Sequence, residues 1–297
     1  MGVESLQLAT MMGTYPKTTP LKDGTISSPL LKLDFADVEV AQKAFKDVVR
    51  NLKFEVAEIA IVTFLQAFDA GKPFVLLPYV MNGGFHHKSI VVRDDSTLKP
   101  QDLNGKTIAM RSYSQTTPTW VRGILMHEYG MRMQDVRWLS QEGAHVENYQ
   151  DPAWVTQISS KLSLEDMLRA GEVDAILAGG GLSGNPGIRP LIPHPAEAAL
   201  AWHHKTQAIP INHMVSVRKE LAASRPEVVR ELYRMLHDSR ASGGQKAPES
   251  GPDLQPSGFG KIEPSLKMVI QFAYEQQLIR KPYAVEELYG DVARILG

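Results

Sequence analysis

The chain has 297 residues, 43% of them hydrophobic, enough to bury a sizeable core and suited to two domains of ordinary size. Its 32 basic side chains balance 33 acidic ones, and no Lys/Arg run is long enough to track a phosphate backbone, which argues against a nucleic-acid partner. There is no cysteine, so disulfide frameworks, thiolate metal sites and thiol nucleophiles are excluded, and a divalent metal, left open as a cofactor, would need His and carboxylate ligands.

The N-terminus, MGVESLQLATMMGTYPKTTP, lacks a basic n-region, and no stretch approaches the ~20 apolar residues of a membrane helix. The expectation is a cytoplasmic protein with no membrane partner. Residues 5–12, SLQLATMM, read as a first strand ending in a loop dense in Gly, Pro and Thr. Val38, Ala41, Phe45, Val48 and Val49 recur at helical spacing over 37–50. FEVAEIAIVTFLQAFDAG then reads as strand, turn and helix, and FVLLPYV, 74–80, as a buried strand. Strand and helix thus alternate as in a parallel or mixed sheet covered by helices.

SIVVR, 89–93, is the next strand, and DLNGKTIAM a turn and another strand. RSYSQTTPTWVRGILMHEYG opens with hydroxyls and continues with Val121, Ile124, Leu125 and Tyr129 on one helical face. DVRWLSQ, SLEDMLRAGEV and DAILAGG read as strand, helix and strand, completing a second α/β unit over roughly 91–205. IPINHMVSVR returns the chain as a strand, followed by a helix opened by Ser224 and Pro226. Residues 241–260, rich in Gly, Pro and Ser, read as a mobile surface loop before closing helices.

Taken together, TYPKTTPLKDG (14–24), FEVAEIAIVTFL (54–65), PFVLLPY with FHHKSIVVR (73–93), DLNGKTIAM (102–110), TWVRGILMHEYG (119–130), VRWL (136–139), LRAGEVDAILAG (168–179) and IPINHMVSVRKEL (209–221) resemble the 4,5-dihydroxyphthalate decarboxylase family over nearly the whole chain. The resemblance implies an α/β, two-lobed type 2 periplasmic-binding-protein-like fold with a ligand cleft between the lobes. Lobe 1 would comprise 1–90 and 210–297, lobe 2 91–209, with hinge strands near 88–93 and 209–217. The implied activity is decarboxylation of a small hydroxylated aromatic carboxylate, without an organic cofactor. The same fold also serves noncatalytic solute-binding proteins and enzymes of menaquinone and thiamine-precursor synthesis, and fold alone does not choose among them. Association into a homo-oligomer is compatible with the sequence.

In that fold His86, His87 and Lys88 would approach His213 at the cleft. Decarboxylation needs a proton delivered to the ring carbon and charge stabilisation as carbon dioxide leaves. His87 or His213 is the expected proton donor and Lys88 an anion contact; the alternative is a polar turn that bonds backbone alone. Ser112, Ser114, Gln115 and Thr116 form a candidate anion cradle at a helix start, or ordinary capping residues. Arg122 lies one to two turns inside that helix, either reaching ligand or solvated. Thr14 and Tyr15 follow the first strand at its carboxyl end, where open α/β sheets place ligands. Glu58 either touches ligand or favours a helix dipole. Gly180, in AGGGLSGNPG, lets backbone approach a ligand or simply turns.

Overall fold

The computed structural model describes residues 5–178, 181–244, 248 and 250–297. The chain forms two compact units, the first made of Met1–Gly83, Ile211–Glu263 and Tyr283–Gly297, the second of Gly84–Pro210 and Pro264–Pro282. Residues 264–282, grouped on sequence grounds with the first lobe, belong to the second unit. The strands in chain order are β1 (Leu6–Met11), β2 (Leu31–Phe35), β3 (Val56–Ala60), β4 (Phe74–Gly83), β5 (Ile90–Arg93), β6 (Thr107–Ser112), β7 (Arg137–Glu142), β8 (Val155–Gln157), β9 (Ala175–Leu177), β10 (Ile188–Pro190) and β11 (Ile211–Arg218).

The first unit's sheet has the order β2-β1-β3-β11-β4. β1 is parallel to β2 and β3, and β11 runs antiparallel to β3 and to β4. β3 is buried at all five positions, as the middle strand of a sheet covered on both faces must be. β2 alternates sheltered and exposed residues, with Leu31 buried and Leu33 and Phe35 half-buried against exposed Lys32 and Asp34, the signature of a strand with one solvated face. The sequence reading does not include that strand, because a short alternation beside a loop rich in Gly, Pro and Thr is a weak signal. The helix read over 37–50 begins instead at Ala41, as a 3-10 turn followed by Phe45–Val49. Val38 and Val40 ahead of it are β-branched and stiff at χ1, which disfavours helix at an end with no capping side chain.

β4 is an edge strand, and a bare edge is a template for unwanted pairing. Here the edge is partly covered. Val80 N–H donates to Pro256 O at 3.1 Å, Gly258 N–H donates to Pro78 O at 2.8 Å, and Tyr79 and Ser257 form an isolated bridge. The Gly/Pro/Ser stretch read as a mobile loop is therefore fastened at 255–258. Composition reports a weak local preference for order and says nothing of a distant strand edge.

The second unit's sheet has the order β10-β5-β9-β6-β7-β8, parallel from β9 through β8, with β5 antiparallel to both β9 and β10. β5, read as a hinge strand, lies wholly within this unit. Val91, Ala109, Met167, Leu168, Val173, Ile176 and Ile188 pack as one buried cluster under the sheet. The Thr116–Tyr129 helix buries Trp120, Val121, Ile124 and Leu125 and ends at Gly130, whose φ of 68° is the left-handed cap conformation that glycine adopts without Cβ strain. Among the described residues, no helix is long and apolar enough to cross a membrane.

Candidate functional site

In the first unit, chain topology brings three segments to one place. The loop leaving β1 carries Gly13 to Lys17, β3 carries Glu58, and β11 carries His213. In the antiparallel β3/β11 ladder Val215 lies opposite Glu58 and His213 opposite Ala60. Glu58 and His213 are thus two residues out of register on the same face, a diagonal separation that long side chains span. The His213 Nδ1 to Glu58 Oε1 distance is 2.7 Å. Tyr15 donates its hydroxyl to the same Oε1 at 3.0 Å, and the Gly13 backbone N–H donates to Oε2 at 2.9 Å.

Glu58 is fully buried, and His213 is 5% exposed. An unpaired carboxylate there would be prohibitive. Burial pushes the Glu58 carboxyl up, but His213, the Gly13 amide and the Tyr15 hydroxyl together outweigh it and hold the group below the usual carboxylate range. Glu58 is therefore an anion at neutral pH, its oxygens committed to three donors. Tyr15 responds in the opposite sense: burial, then the adjacent carboxylate, raises its phenol. The His213 ring also meets the edge of Phe45 at 5.2 Å between centroids. A β-carbon on Gly13 would overlap the Tyr15 phenol, so glycine is what lets the amide and the hydroxyl converge on one carboxylate.

Two lysines that sequence reasoning did not single out complete this neighbourhood. Lys22 Nζ donates to Met12 O and to Thr14 Oγ1, both at 2.9 Å; Thr14 itself is exposed. Lys17 is buried and its Nζ donates to Met81 O and Gln255 Oε1. Burial, then the Arg240 guanidinium, lowers the Lys17 ammonium to about 8, with Glu58 opposing. An open pocket of 460 Å³ lies here, lined by Tyr15, Lys17, Met81, Asn82, Gly243 and Gln255 among others. Tyr15 links this pocket to Glu58, and Asn82 is the β4 partner of His213. The available signal for Lys17 was its place in the loop at the carboxyl end of a first strand.

The remaining sequence candidates lie in the second unit. His86 and His87 are buried and Lys88 is exposed; Ser89 N–H donates to His86 O at 2.8 Å, so the three occupy a tight turn before β5. His87 packs against Phe85 and Trp202, with ring centroids 6.4 and 5.8 Å away. Its Nδ1 is buried without a hydrogen-bond partner. Burial, then the charge of His86, lowers its pKa to about 4, with Glu128 opposing, so the imidazole is neutral at pH 7. A smaller pocket of 260 Å³ is lined by His87, Trp202, Tyr129 and the Lys205–Glu128 ion pair.

Ser112 and Ser114 are buried with their hydroxyls 3.4 Å apart, Thr116 is buried, and Gln115 caps the Thr116–Tyr129 helix by backbone conformation, with no side-chain cap. Arg122 is fully buried. It donates to Gln276 Oε1 at 2.7 Å and Tyr113 O at 2.6 Å, and its guanidinium lies 4.0 Å from the Tyr113 ring centroid. Arg122 is thus a core arginine satisfied by protein groups, so neither reading of it from sequence, ligand contact or solvated surface, describes its surroundings. Gly180 lies outside the described residues. Among the described residues no cluster of three or more His, Asp or Glu could hold a metal ion.

No family model matches the chain. It is 28% identical over 262 residues to 4,5-dihydroxyphthalate decarboxylase of Comamonas testosteroni, covering 80% of this chain and 76% of that protein. It is 26% identical over 220 residues to 4,5-dihydroxyphthalate decarboxylase of Pseudomonas putida, covering 68% and 83%. Among solved structures it resembles the periplasmic aliphatic sulphonate-binding protein SsuA of Escherichia coli, with a TM-score of 0.59 at 12% identity over 96% of this chain and 92% of that one. The desulfurization enzyme DSZB gives a TM-score of 0.57 at 17% identity, with 99% of each chain covered. At such identities the solved structures speak for the fold alone. The chain is a homologue of proteins named 4,5-dihydroxyphthalate decarboxylase, built on the two-lobed fold of type 2 periplasmic substrate-binding proteins.

Proposed function

We propose that this protein is a cytoplasmic carboxy-lyase that removes carbon dioxide from a small hydroxylated aromatic carboxylate of the dihydroxyphthalate kind. The observation that carries the reading is the buried Glu58–His213 pair. An ionised carboxylate accepting the Nδ1 proton fixes the tautomer and orientation of the imidazole, leaving Nε2 for proton transfer. The negative charge of Glu58 offsets the positive charge the ring carries while it holds the proton to be delivered. In the reaction, Nε2 gives its proton to the ring carbon bearing the carboxylate, assisted by electron release from the ring hydroxyl. The bond to the carboxyl carbon then breaks, its electron pair restores the aromatic ring, and carbon dioxide departs. A proton taken up from bulk solvent recharges His213, so the sum is ArCO2⁻ + H⁺ → ArH + CO2 with no oxidant or reductant. Tyr15, hydrogen-bonded to Glu58 and lining the pocket, ties the acid–base pair to the place where substrate binds.

The test is carbon dioxide release over a panel of hydroxylated benzoates and phthalates, with and without added divalent metal. Release is expected, falling on the order of 10²–10⁴-fold in His213→Ala, the usual worth of a positioned general acid, and less in Glu58→Gln, which keeps the ring but loses the charge. Saturable binding without release for every panel member would sink the lyase reading and leave a noncatalytic solute-binding protein.

A further inference from the structure

The cations around the 460 Å³ pocket of the first unit stand out by their partners. The Lys17 ammonium donates to two neutral acceptors, Met81 O and Gln255 Oε1, leaving one of its three N–H donors uncommitted. Arg240 beside it donates to the carbonyls of Gln255 and Val80, at 2.7 and 2.6 Å, and lies 3.8 Å over the Tyr79 ring. Neither cation forms an ion pair with a carboxylate among the described residues, and Glu58, the acid that stabilises the Lys17 charge, is already held by His213, Tyr15 and Gly13. A buried ammonium without a counter-ion costs free energy that the fold tolerates where a ligand anion completes the site.

The fold also fixes Lys17 in place. Ser239 donates its hydroxyl to Lys17 O at 2.6 Å. Gly243 packs so closely against Pro16 and Lys17 that a β-carbon there would overlap the Pro16 carbonyl. Backbone and side chain are therefore both clamped, which is the preorganisation expected of a ligand-binding cation.

We propose that the pocket lined by Tyr15, Lys17, Met81, Asn82, Gly243 and Gln255 is a carboxylate-binding site in which the Lys17 ammonium recognises the anion. The assignment of that carboxylate to the substrate rests on the decarboxylase reading; the binding site itself does not. Lys17 supplies a point charge with a free donor, Tyr15 supplies an aromatic wall, and the ligand class is a small aromatic carboxylate.

Calorimetric titration with benzoate, phthalate and neutral catechol tests this without requiring turnover. Lys17→Met is expected to weaken benzoate and phthalate about ten- to hundredfold, the worth of a charged hydrogen bond, while catechol is unchanged. A second measurement uses the wild-type protein and does not depend on a variant folding. The charged and titratable groups facing Lys17 are Tyr15 on its own loop, Glu58 on β3 and Arg240 on the Pro226–Ser242 helix, with Tyr15 raised. Phthalate stays ionised above neutrality, so its affinity is expected to fall as pH rises through about 8, where Lys17 loses its proton. Carboxylate affinity that is absent in the wild type, equal in Lys17→Met, or flat between pH 7 and 9.5 overturns the proposal. Lys17-dependent binding with no carbon dioxide release would instead uphold the site and reject the lyase.

Discussion

Two buried titratable side chains, one in each unit, make opposite use of burial. Glu58 keeps its charge because three donors surround it; His87 surrenders its charge because its surroundings are rings and a neighbouring histidine. Both bear on stability in acid with the same sign. Glu58 has a depressed pKa in the folded state, so its contribution is full above the unfolded value and is lost as pH falls through the folded one. His87 is neutral when folded and takes up a proton near pH 6.5 when unfolded, so the unfolded chain gains protons first and stability declines as pH drops from 6.5 to about 4. The His87 part is on the order of 3 kcal/mol. Urea unfolding between pH 7 and 4 is expected to show that decline, and His87→Phe should flatten the upper part of it while the Glu58 part persists below. Equal slopes for the two proteins would refute the assignment. Of the residues named from sequence, Tyr15, Glu58 and His213 converge, while Lys17, which converges with them, is unmarked in the sequence because a lysine in a polar loop has no periodicity to betray its burial.

Elements were legible where period and length were both strong. The Thr116–Tyr129 helix and strands β3, β4 and β11 follow their apolar patterns; β8 and β10, of three residues each, are too short for periodicity to rise above chance, and the half-polar alternation of β2 is a weaker signal than the largely apolar run of β3. Packing between elements sets a separate demand at Gly123. In an exposed helix, replacing glycine with alanine gains up to about 1 kcal/mol. At Gly123 the added carbon would land on the Phe272 ring, and overpacking costs about 1–3 kcal/mol. The clash outweighs the propensity, so Gly123→Ala should lower the urea midpoint; a raised midpoint would mean that the two helices part easily. Similarly, the 255–258 segment orders itself by borrowing the free edge of β4, a partner that no local pattern announces.

For the whole molecule, ligand binding and folding are one equilibrium. A carboxylate held by Lys17 stabilises the folded chain by RT ln(1 + [L]/Kd), about 2.7 kcal/mol at a hundredfold excess over Kd. Phthalate at that excess should therefore raise the thermal unfolding midpoint of the wild type and raise that of Lys17→Met by clearly less, since a ten- to hundredfold weaker Kd cuts the stabilisation to about 0.4–1.4 kcal/mol; an equal rise in both would place the ligand elsewhere. Sequence by itself determined the α/β class, the alternation of strand and helix, the absence of thiol chemistry, and a resemblance that the decarboxylase homologues match. These depend on composition, on period and on the order of segments, all of which are written locally along the chain. Tertiary structure alone decided which polar residues meet. Glu58 and His213 are 155 positions apart and become neighbours because β11 returns between β3 and β4. Arg122, read from sequence as either reaching ligand or solvated, lies in the core, where the C-terminal segment bearing Gln276 supplies an acceptor for its guanidinium. Such non-local pairings are fixed by the burial and hydrogen bonding of the whole fold, and no short stretch of sequence carries them.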